Sequence, residues 1–298
     1  MTQTTGHEAP LDGVAHTALW TADMRARESA RPDPLCVDPW AARFVEAGGP
    51  PPEFPANELM RRVLPDWLAV RTRFFDDHLL AAARSGCRQV VILAAGLDTR
   101  SLRLDWPEGT RVYEVDLPAL HAFKERALKE APETAGALRN ASNRIPVPAD
   151  LSGSWETALT DAGLDPGQPT AWLCEGAMFY FSEAQTEHIV ATLTRLSAPG
   201  STLGVDCLNA ERGESAFMHN WLGALAANGT PWLWQIADPE RWWAERGWDA
   251  LPVDLFSLPY LVQRFAAYPQ LSDSSESEAM LLITGERSVG GRTATRST

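Results

Sequence analysis

The chain has 298 residues, of which 45% are apolar and 22% charged, and its formal net charge is −13. This composition is typical of a globular enzyme and excludes a largely disordered chain. The acidic balance disfavours nucleic acid as a partner, and no apolar run approaches the roughly 20 residues of a membrane helix. We expect one large α/β domain, or one with a substantial lid.

The chain ends and the cysteines indicate the compartment. Residues 1–10 are polar and acidic, unlike a secretory signal, and 1–12 and 287–298 are predicted to be disordered tails. The cysteines have no partner at metal-binding or CxxC spacing: Cys36, Cys87, Cys174 and Cys207. We expect free thiols in a reducing cytoplasm and no bound metal.

Residues 13–88 are predicted to form an N-terminal helical cap. Helices are expected over 17–28 and 39–47. Asp66 is a suitable N-cap for a long amphipathic helix that extends to about Ala83, and Gly86 supplies its C-terminal stop.

Strands and helices alternate within 89–286, the predicted core. The expected strands are 89–94, 111–115, 145–148, 170–174, 201–206 and 279–284. The expected helices are 118–131, 155–162 and 182–197. In the last of these, Ser182 and Gln185 form a capping box. The alternation predicts a doubly wound, mainly parallel α/β sheet with helices on both faces.

Residues 211–268 interrupt the alternation and are predicted to be a helical lid insert. The insert is rich in tryptophan: Trp221, Trp232, Trp234, Trp242, Trp243 and Trp248. These rings are either ordinary packing of the insert or an apolar wall over a substrate pocket.

The stretch 89–116 carries the clearest functional signal. An apolar run, 90–94, predicts a strand buried on both faces, and Gly96 allows a tight turn after it. Acidic residues follow the first four predicted strands: Asp98, Asp116, Asp150 and Glu175. Carboxylates at this edge suit ribose hydroxyls, an adenine amino group and an ammonium, whereas they would repel a pyrophosphate. The pattern therefore favours S-adenosylmethionine over a nicotinamide dinucleotide, which needs GxGxxG where this turn has only Gly96.

Four motifs resemble the leucine carboxyl methyltransferase family: AAGLDTRSLRL at 94–104, YEVDLPAL at 113–120, PADL at 148–151 and CEGAMFYFSEAQ at 174–185. The resemblance spans about 17–285 and is closest to the bacterial branch that acts on polyketides and other small natural products. It implies a seven-stranded, Rossmann-like class I methyltransferase sheet. It also implies S-adenosyl-L-methionine as cofactor, S-adenosyl-L-homocysteine as product, and a bulky, apolar or aromatic small-molecule acceptor.

The resemblance implies contacts to the methionine part of the cofactor. Arg71 would bind its carboxylate, Gly96 would line it, and Glu175 would face its ammonium. Ala94 stands where the family usually has glycine, and it is expected to adjust strand packing without closing the site. From the residues alone, Arg71 could instead pair with Asp66 or Asp77.

The resemblance also implies contacts to the nucleoside. Asp116 would hold the ribose hydroxyls, with Leu117 beside it in the cofactor set. Asp150 would bind the adenine amino group, and Leu151 would stack or donate its backbone N–H nearby. A basic residue near the N-terminus also contacts the cofactor in relatives, and here it is one of two: Arg25 or Arg27. Asp98 and Arg100 are expected to be structural, paired with each other or capping the next helix.

Tyr180, in the loop after the fourth strand, is the best candidate for touching the acceptor. Arg212, His219 and Arg264 are weaker candidates. The sequence offers no base dyad, which favours an acceptor already ionised at neutral pH, a carboxylate or an acidic enol. Two alternatives stay open: methylation of a protein C-terminus and a cofactor-binding relative without activity. A nicotinamide-dependent oxidoreductase would need further glycines after the first strand and a Tyr-x-x-x-Lys pair, and neither is found.

Overall fold

The computed structural model describes residues 14–51, 58–129, 143–210, 216–227, 229–268 and 279–288. The predicted tail 1–12 lies outside these residues, as does 289–298 of the C-terminal one. None of the helices in the described part is long and apolar enough to span a bilayer.

The N-terminal part contains three helices: α1 (Val14–Ser29), α2 (Ala41–Gly48) and α3 (Glu58–Arg84). The predicted start of α3 at Asp66 is wrong, because the helix continues through Pro65 towards the N-terminus. Proline costs a helix one backbone hydrogen bond, which is why it predicts a boundary. Here the buried side chains on both sides of Pro65, including Val63 and Leu68, hold the helix together. Its C-terminal stop at Gly86 is confirmed, with φ at 120°.

The sheet in the described part of the chain has seven strands, in the order β3-β2-β1-β4-β5-β7-β6. The strands are β1 (Gln89–Leu93), β2 (Arg111–Asp116), β3 (Arg144–Pro148), β4 (Thr170–Cys174), β5 (Thr202–Leu208), β6 (Trp248–Pro252) and β7 (Met280–Arg287). Pairing is parallel except at β7, which runs antiparallel to both β5 and β6. The predicted doubly wound, mainly parallel sheet is confirmed.

The remaining helices lie between or beside these strands: α4 (Arg100–Arg103), α5 (Pro118–Lys129), α6 (Trp155–Asp161), α7 (Glu183–Arg195), α8 (Ala216–Ala227), α9 (Pro239–Ala244) and α10 (Pro259–Phe265). The capping box predicted at the start of α7 is present. The Ser182 hydroxyl accepts from the Gln185 N–H, and the Gln185 side chain accepts from the Ser182 N–H. This reciprocal bonding satisfies two N–H groups that a helix start leaves free.

The segment predicted as a helical insert, 211–268, is helical only in part. Residues Trp248–Pro252 form β6 and pair with β7, with Trp248 and Ala250 buried and Asp249 and Leu251 exposed. This alternation has the period of a strand, and pairing with β7 covers what would otherwise be an open sheet edge. Residues 211–215 and 228 lie outside the described part of the chain.

Apolar residues of β1 alternate between the two faces of the sheet. Val91 and Leu93 pack into the cluster that includes Trp155 and Trp172, and Val90 and Ile92 pack against α3 and its neighbours on the other face. Each fully buried aliphatic side chain of this kind contributes about 1.5–3 kcal/mol. Burial on both faces holds β1 in place in the sheet and so positions the Gly96 turn that follows it.

The outer edge of the sheet on the β3 side is built from an unusual pair of residues. The N–H of Ala149, just after β3, bonds to the Asp116 carbonyl of β2, so Ile145 and Val147 also turn their N–H groups towards β2. The alternate positions, Pro146 and Pro148, have no N–H at all.

The backbone at Ala94 is strained. It is the one non-glycine among the described residues with a positive φ, at 48°, so this alanine lies just beyond β1 in the left-handed region. The departure from glycine therefore falls on the turn itself, where Ala94 also packs against the apolar cluster on one face of the sheet. For an alanine this conformation costs about 1 kcal/mol or more.

Replacing Ala94 with glycine is expected to stabilise the protein by about 0.5 kcal/mol, because the relieved strain slightly exceeds the entropy glycine adds to the unfolded chain. Its neighbour Ala95 is buried and has no positive φ, so Ala95→Gly should destabilise by about 1 kcal/mol. Urea unfolding of both variants tests the difference. Equal destabilisation by the two changes would contradict strain at position 94.

Candidate active site

A cavity of about 870 Å³ lies at the carboxyl ends of β1 to β4, under α1. Both the volume and the position, beside the point where the chain order reverses between β1 and β4, are usual for a small-molecule site. The structure brings to this cavity all eight residues that the sequence assigns to cofactor binding: Arg71, Ala94, Gly96, Asp116, Leu117, Asp150, Leu151 and Glu175.

Asp116 closes the turn after β1. Its Oδ2 accepts from the Gly96 N–H at 2.6 Å, and its Oδ1 accepts from the Leu117 N–H at 2.6 Å. Each carboxylate oxygen has two acceptor positions, so one position per oxygen is left for a ligand. Burial raises the pKa of Asp116, and the two N–H groups oppose that rise. The geometry presents a pair of adjacent acceptors to the cavity.

Apolar side chains flank this pair of acceptors. Leu117 is 50% exposed although it lines the cavity, whereas Leu151 is buried. Asp150 is exposed, and its Oδ1 accepts from both the N–H and the hydroxyl of Ser152, which lower its pKa. This end of the cavity therefore combines apolar surface with carboxylate acceptors.

Arg71 lies between two carboxylates at the other end of the cavity. Its Nε donates to Glu175 Oε1 at 2.9 Å, and its Nη1 donates to Asp206 Oδ2 at 2.7 Å. Asp206, in β5, has no exposed side-chain surface and also accepts from the Gly176 N–H at 2.6 Å. Burial raises the pKa of Asp206, and Arg71 opposes the rise. The surface pairing of Arg71 with Asp66 or Asp77 is not what the structure shows.

Arg100 continues this chain of charges on the far side of Glu175. Its Nη2 lies 2.6 Å from Glu175 Oε2, and its Nε donates to Asp76 at 2.7 Å. It also pairs with Asp98, which is the structural role expected from the sequence. Positive and negative side chains thus alternate from Asp206 to Asp76.

Arg25 is the N-terminal basic residue at the cavity. Its Nη2 donates to the Leu97 carbonyl at 2.7 Å, and its Nε donates to Asp38 at 2.8 Å. Arg27 faces away, 75% exposed, and pairs with Asp23. The cavity side of α1 has helical spacing, with Thr17, Thr21 and Arg25 four residues apart. This spacing is the signal that could have separated Arg25 from Arg27.

Tyr180 lines the cavity from the short 3₁₀ turn after β4. Its ring stands perpendicular to Trp232, with centroids 6.4 Å apart, and Trp232 stacks on Phe179 at 3.8 Å. Burial raises the pKa of Tyr180, while the side chains of Trp232 and Thr17 lower it. The phenol is therefore protonated at neutral pH and can donate a hydrogen bond.

The tryptophans of the 211–268 segment pack away from the cavity. Four of them are buried in apolar clusters: Trp221, Trp234, Trp243 and Trp248. No tryptophan of the described segment is among the cavity-lining residues. The structure therefore supports the interpretation of these tryptophans as ordinary packing of the segment. Trp232 packs against Tyr180, which itself lines the cavity.

The structure does not bring the weaker acceptor candidates to the cavity. His219 is exposed on α8 and does not line it, because it lies on the outer face of that helix. Arg264 is buried instead in an ion-pair cluster with Glu28 and Asp66. Arg212 lies outside the described residues. Within the described residues, no group of His, Cys, Asp and Glu is arranged to hold a metal.

Arg264 is expected to be a stability residue. Its Nη2 donates to Glu28 at 3.0 Å and its Nη1 to Asp66 at 3.1 Å, which ties α10 to α1 and α3. Arg264→Met should destabilise the fold by about 2 kcal/mol, somewhat less than a fully isolated buried pair because Arg31 stays beside both acids.

The matched control is Arg241→Met, which breaks an exposed pair with Glu245 and should leave the urea midpoint almost unchanged. Urea unfolding measures both variants. Equal small losses would show that the Arg264 cluster contributes no more than a surface pair.

A family model described as leucine carboxyl methyltransferase matches residues 18–194. A protein of Parafrankia sp. (strain EAN1pec), assigned by name to the S-adenosyl-L-methionine-dependent methyltransferases, is 42% identical over 266 residues, which cover 84% of this chain and 81% of the relative. A protein of Mycobacterium sp. (strain KMS) with the same assignment is 36% identical over 291 residues, covering 92% and 95%.

Solved structures show the same fold. A DUF574 family protein from Streptomyces avermitilis MA-4680 has a TM-score of 0.57 at 17% identity, covering 90% of this chain and 97% of that one. A Thermobifida fusca YX protein described as a methyltransferase has a TM-score of 0.55 at 18% identity, covering 83% and 94%. At such identities the likeness concerns the fold alone.

Proposed function

Because this chain belongs to the leucine carboxyl methyltransferase family, we propose that it is an O-methyltransferase that acts on a small, polyketide-like natural product. The cofactor is S-adenosylmethionine, the group that its relatives are named for. The acceptor oxygen we propose is a carboxylate or an acidic hydroxyl on a bulky, apolar or aromatic molecule.

One observation carries the proposal. Asp116 offers two adjacent acceptor positions at the cavity, one on each carboxylate oxygen, beside the half-exposed Leu117. Two neighbouring hydroxyl donors with an attached flat base, a ribose and an adenine, match this arrangement. An acid at this position would also hold the ribose of a nicotinamide dinucleotide, so the distinction rests on the turn after β1, which has only Gly96 where a pyrophosphate cradle needs GxGxxG.

The cavity fits the rest of the cofactor as well. Gly96 has φ at 50°, lines the cavity and has no side chain, and a Cβ there would come into van der Waals contact with Ala18 at 3.6 Å. Arg71 and Glu175 would hold the carboxylate and the ammonium of the methionine part. Asp150 would hold the adenine amino group, with Leu117 and Leu151 against the ring.

When bound, the cofactor supplies an electrophilic methyl group on a sulfonium. The chain's task is to position the two reactants and to exclude water from a reaction that neutralises charge. Arg71, Glu175 and Asp116 fix the two ends of the cofactor. The α1 face with Thr17 and Thr21 covers the cavity on the opposite side.

The proposed class of acceptor rests on the lack of a free general base among the described residues that line the cavity. No histidine of the described residues lines the cavity, and its carboxylates are already held by arginines, backbone N–H groups or a serine. Such a lining has no ready general base, so an acceptor that is ionised at neutral pH suits it best. We propose that Tyr180 donates a hydrogen bond to this acceptor.

Calorimetric titration with S-adenosylhomocysteine, with NADH as control, tests the proposal. We expect micromolar binding of the first ligand alone. Incubation with S-adenosylmethionine and panels of carboxylic and phenolic acceptors, followed by mass spectrometry, then tests O-methylation. Binding of NADH instead would overturn the assignment, and methylation confined to nitrogen or carbon would overturn the acceptor class.

A further inference from the structure

Asp206 is a buried charge that the sequence-based site does not include. Its side chain has no exposed surface, and it sits within β5 rather than at the end of a strand. Burying a carboxylate is costly unless it is paired and hydrogen-bonded. Both of its oxygens are used, Oδ2 by Arg71 Nη1 and Oδ1 by the Gly176 N–H.

Arg71 keeps part of its guanidinium uncommitted. Nε and Nη1 are bonded to Glu175 and Asp206, and no hydrogen bond among the described residues uses Nη2. Nη2 lies 3.1 Å from the position that a Cβ would take at Gly176, where φ is 70°. Glycine there leaves the space beside Nη2 open, and both residues line the cavity.

The two carboxylates beside Arg71 differ in kind. Glu175 lines the cavity, retains some exposure and is anchored separately by Arg100. Asp206 does not line the cavity and is held by the backbone as well as by Arg71. Glu175 can therefore exchange its contact with Arg71 for a contact with a ligand, whereas Asp206 stays bonded to Arg71.

We propose that Asp206 is a positioning residue that fixes Arg71 for the amino-acid end of the cofactor. The inference rests on the proposed function. Asp206 holds Nη1, which leaves Nε and Nη2 to receive the cofactor carboxylate when the pair between Arg71 and Glu175 opens. Glu175, still held by Arg100, takes the ammonium. The amino-acid end of the cofactor thus replaces the ion pair between Arg71 and Glu175 with two new pairs, carboxylate with Arg71 and ammonium with Glu175. Positive and negative groups then still alternate along the row.

The test compares two ligands in the variant Asp206→Asn, which keeps the size and an acceptor oxygen but removes the charge. S-adenosylhomocysteine carries the amino-acid end, and 5′-methylthioadenosine carries the same nucleoside without it. We expect the affinity for S-adenosylhomocysteine to fall about tenfold, and that for 5′-methylthioadenosine to stay within about twofold. Calorimetry on the full-length protein measures both.

Glu114→Gln is the matched control. Glu114 is equally buried, in β2, and is bonded to Lys124 and Arg144 rather than to Arg71. This change should lower stability and leave the ratio of the two affinities unchanged. If Asp206→Asn weakens both ligands equally, or neither, the proposal is overturned. If the unmodified protein binds neither ligand, the proposed function fails instead.

A second variant covers the case in which Asp206→Asn does not fold. Gly176→Ala places a methyl group against Arg71 Nη2 and leaves Asp206 in place. It should reproduce the selective loss of S-adenosylhomocysteine, about tenfold, with 5′-methylthioadenosine little affected. If Gly176→Ala changes the affinity for the two ligands by the same factor, or changes neither, Arg71 Nη2 does not receive the cofactor carboxylate and the proposal is overturned.

Discussion

Replacing Asp116 with alanine is expected to weaken binding of S-adenosylhomocysteine at least about a hundredfold. Two hydrogen bonds from ribose hydroxyls to a carboxylate contribute roughly 1.5–3 kcal/mol each, and each 1.4 kcal/mol is a factor of ten. The change also frees the N–H groups of Gly96 and Leu117, which Asp116 now holds. The nucleoside 5′-methylthioadenosine should lose affinity to the same degree, because it has the same ribose. Calorimetry measures both, and retained affinity would contradict the ribose assignment.

The same residue predicts a pH dependence. Burial raises the pKa of Asp116, so its folded-state pKa lies above that of the unfolded chain. The ionised form therefore makes the folded state less stable above that pKa, and this cost disappears as the pH falls through it. Ligand affinity moves the other way, because protonation removes an acceptor. Titrations between about pH 4 and pH 7 should show affinity falling towards acid, and Asp116→Asn should reduce that slope.

Replacing Arg71 with methionine is expected to destabilise the fold by about 3–5 kcal/mol, because it leaves two carboxylates without their shared cation. Asp206 is the more affected, since it has no exposed surface. Arg71→Lys should recover only part of the loss, because one ammonium cannot reproduce the guanidinium bonds to both acids. Urea unfolding measures both variants.

A double variant can show whether Arg71→Met destabilises the fold by leaving Asp206 unpaired or by loss of packing. In the double variant Arg71→Met with Asp206→Asn, the buried carboxylate next to the new methionine is gone, so about half of the lost stability should return. If the double variant is less stable than Arg71→Met by the full cost of Asp206→Asn alone, the two residues act independently. That result would contradict the ion pair as the source.

The parts of the fold and site that the sequence predicts are those with local signals. The strand before Gly96 is a continuous apolar run, and Asp116 directly ends the next one. Parallel strands bring their carboxyl ends to one edge whatever else the chain does, so acids that follow successive strands meet there. This is why the residues assigned to the cofactor line one cavity.

Other features depend on partners far along the chain. Asp206 lies 135 positions from Arg71, and nothing next to it in the sequence points to a cation. In the sequence Arg264 resembles a site residue, because its partners Glu28 in α1 and Asp66 in α3 are distant along the chain. The start of α3 was obscured by Pro65, whose local effect is outweighed by packing along the helix. Tertiary contacts, rather than propensity, decide each of these cases.

The border of the sheet at β3 has a consequence for how folded copies of the chain meet. A strand from a second molecule would extend the sheet by accepting bonds from outward N–H groups and donating to outward carbonyls, and Pro146 and Pro148 remove two of those N–H donors from a strand of five residues. Edge-to-edge extension of the sheet through this border is therefore disfavoured by covalent structure rather than by charge. High salt, which weakens charged barriers to aggregation, leaves this protection intact.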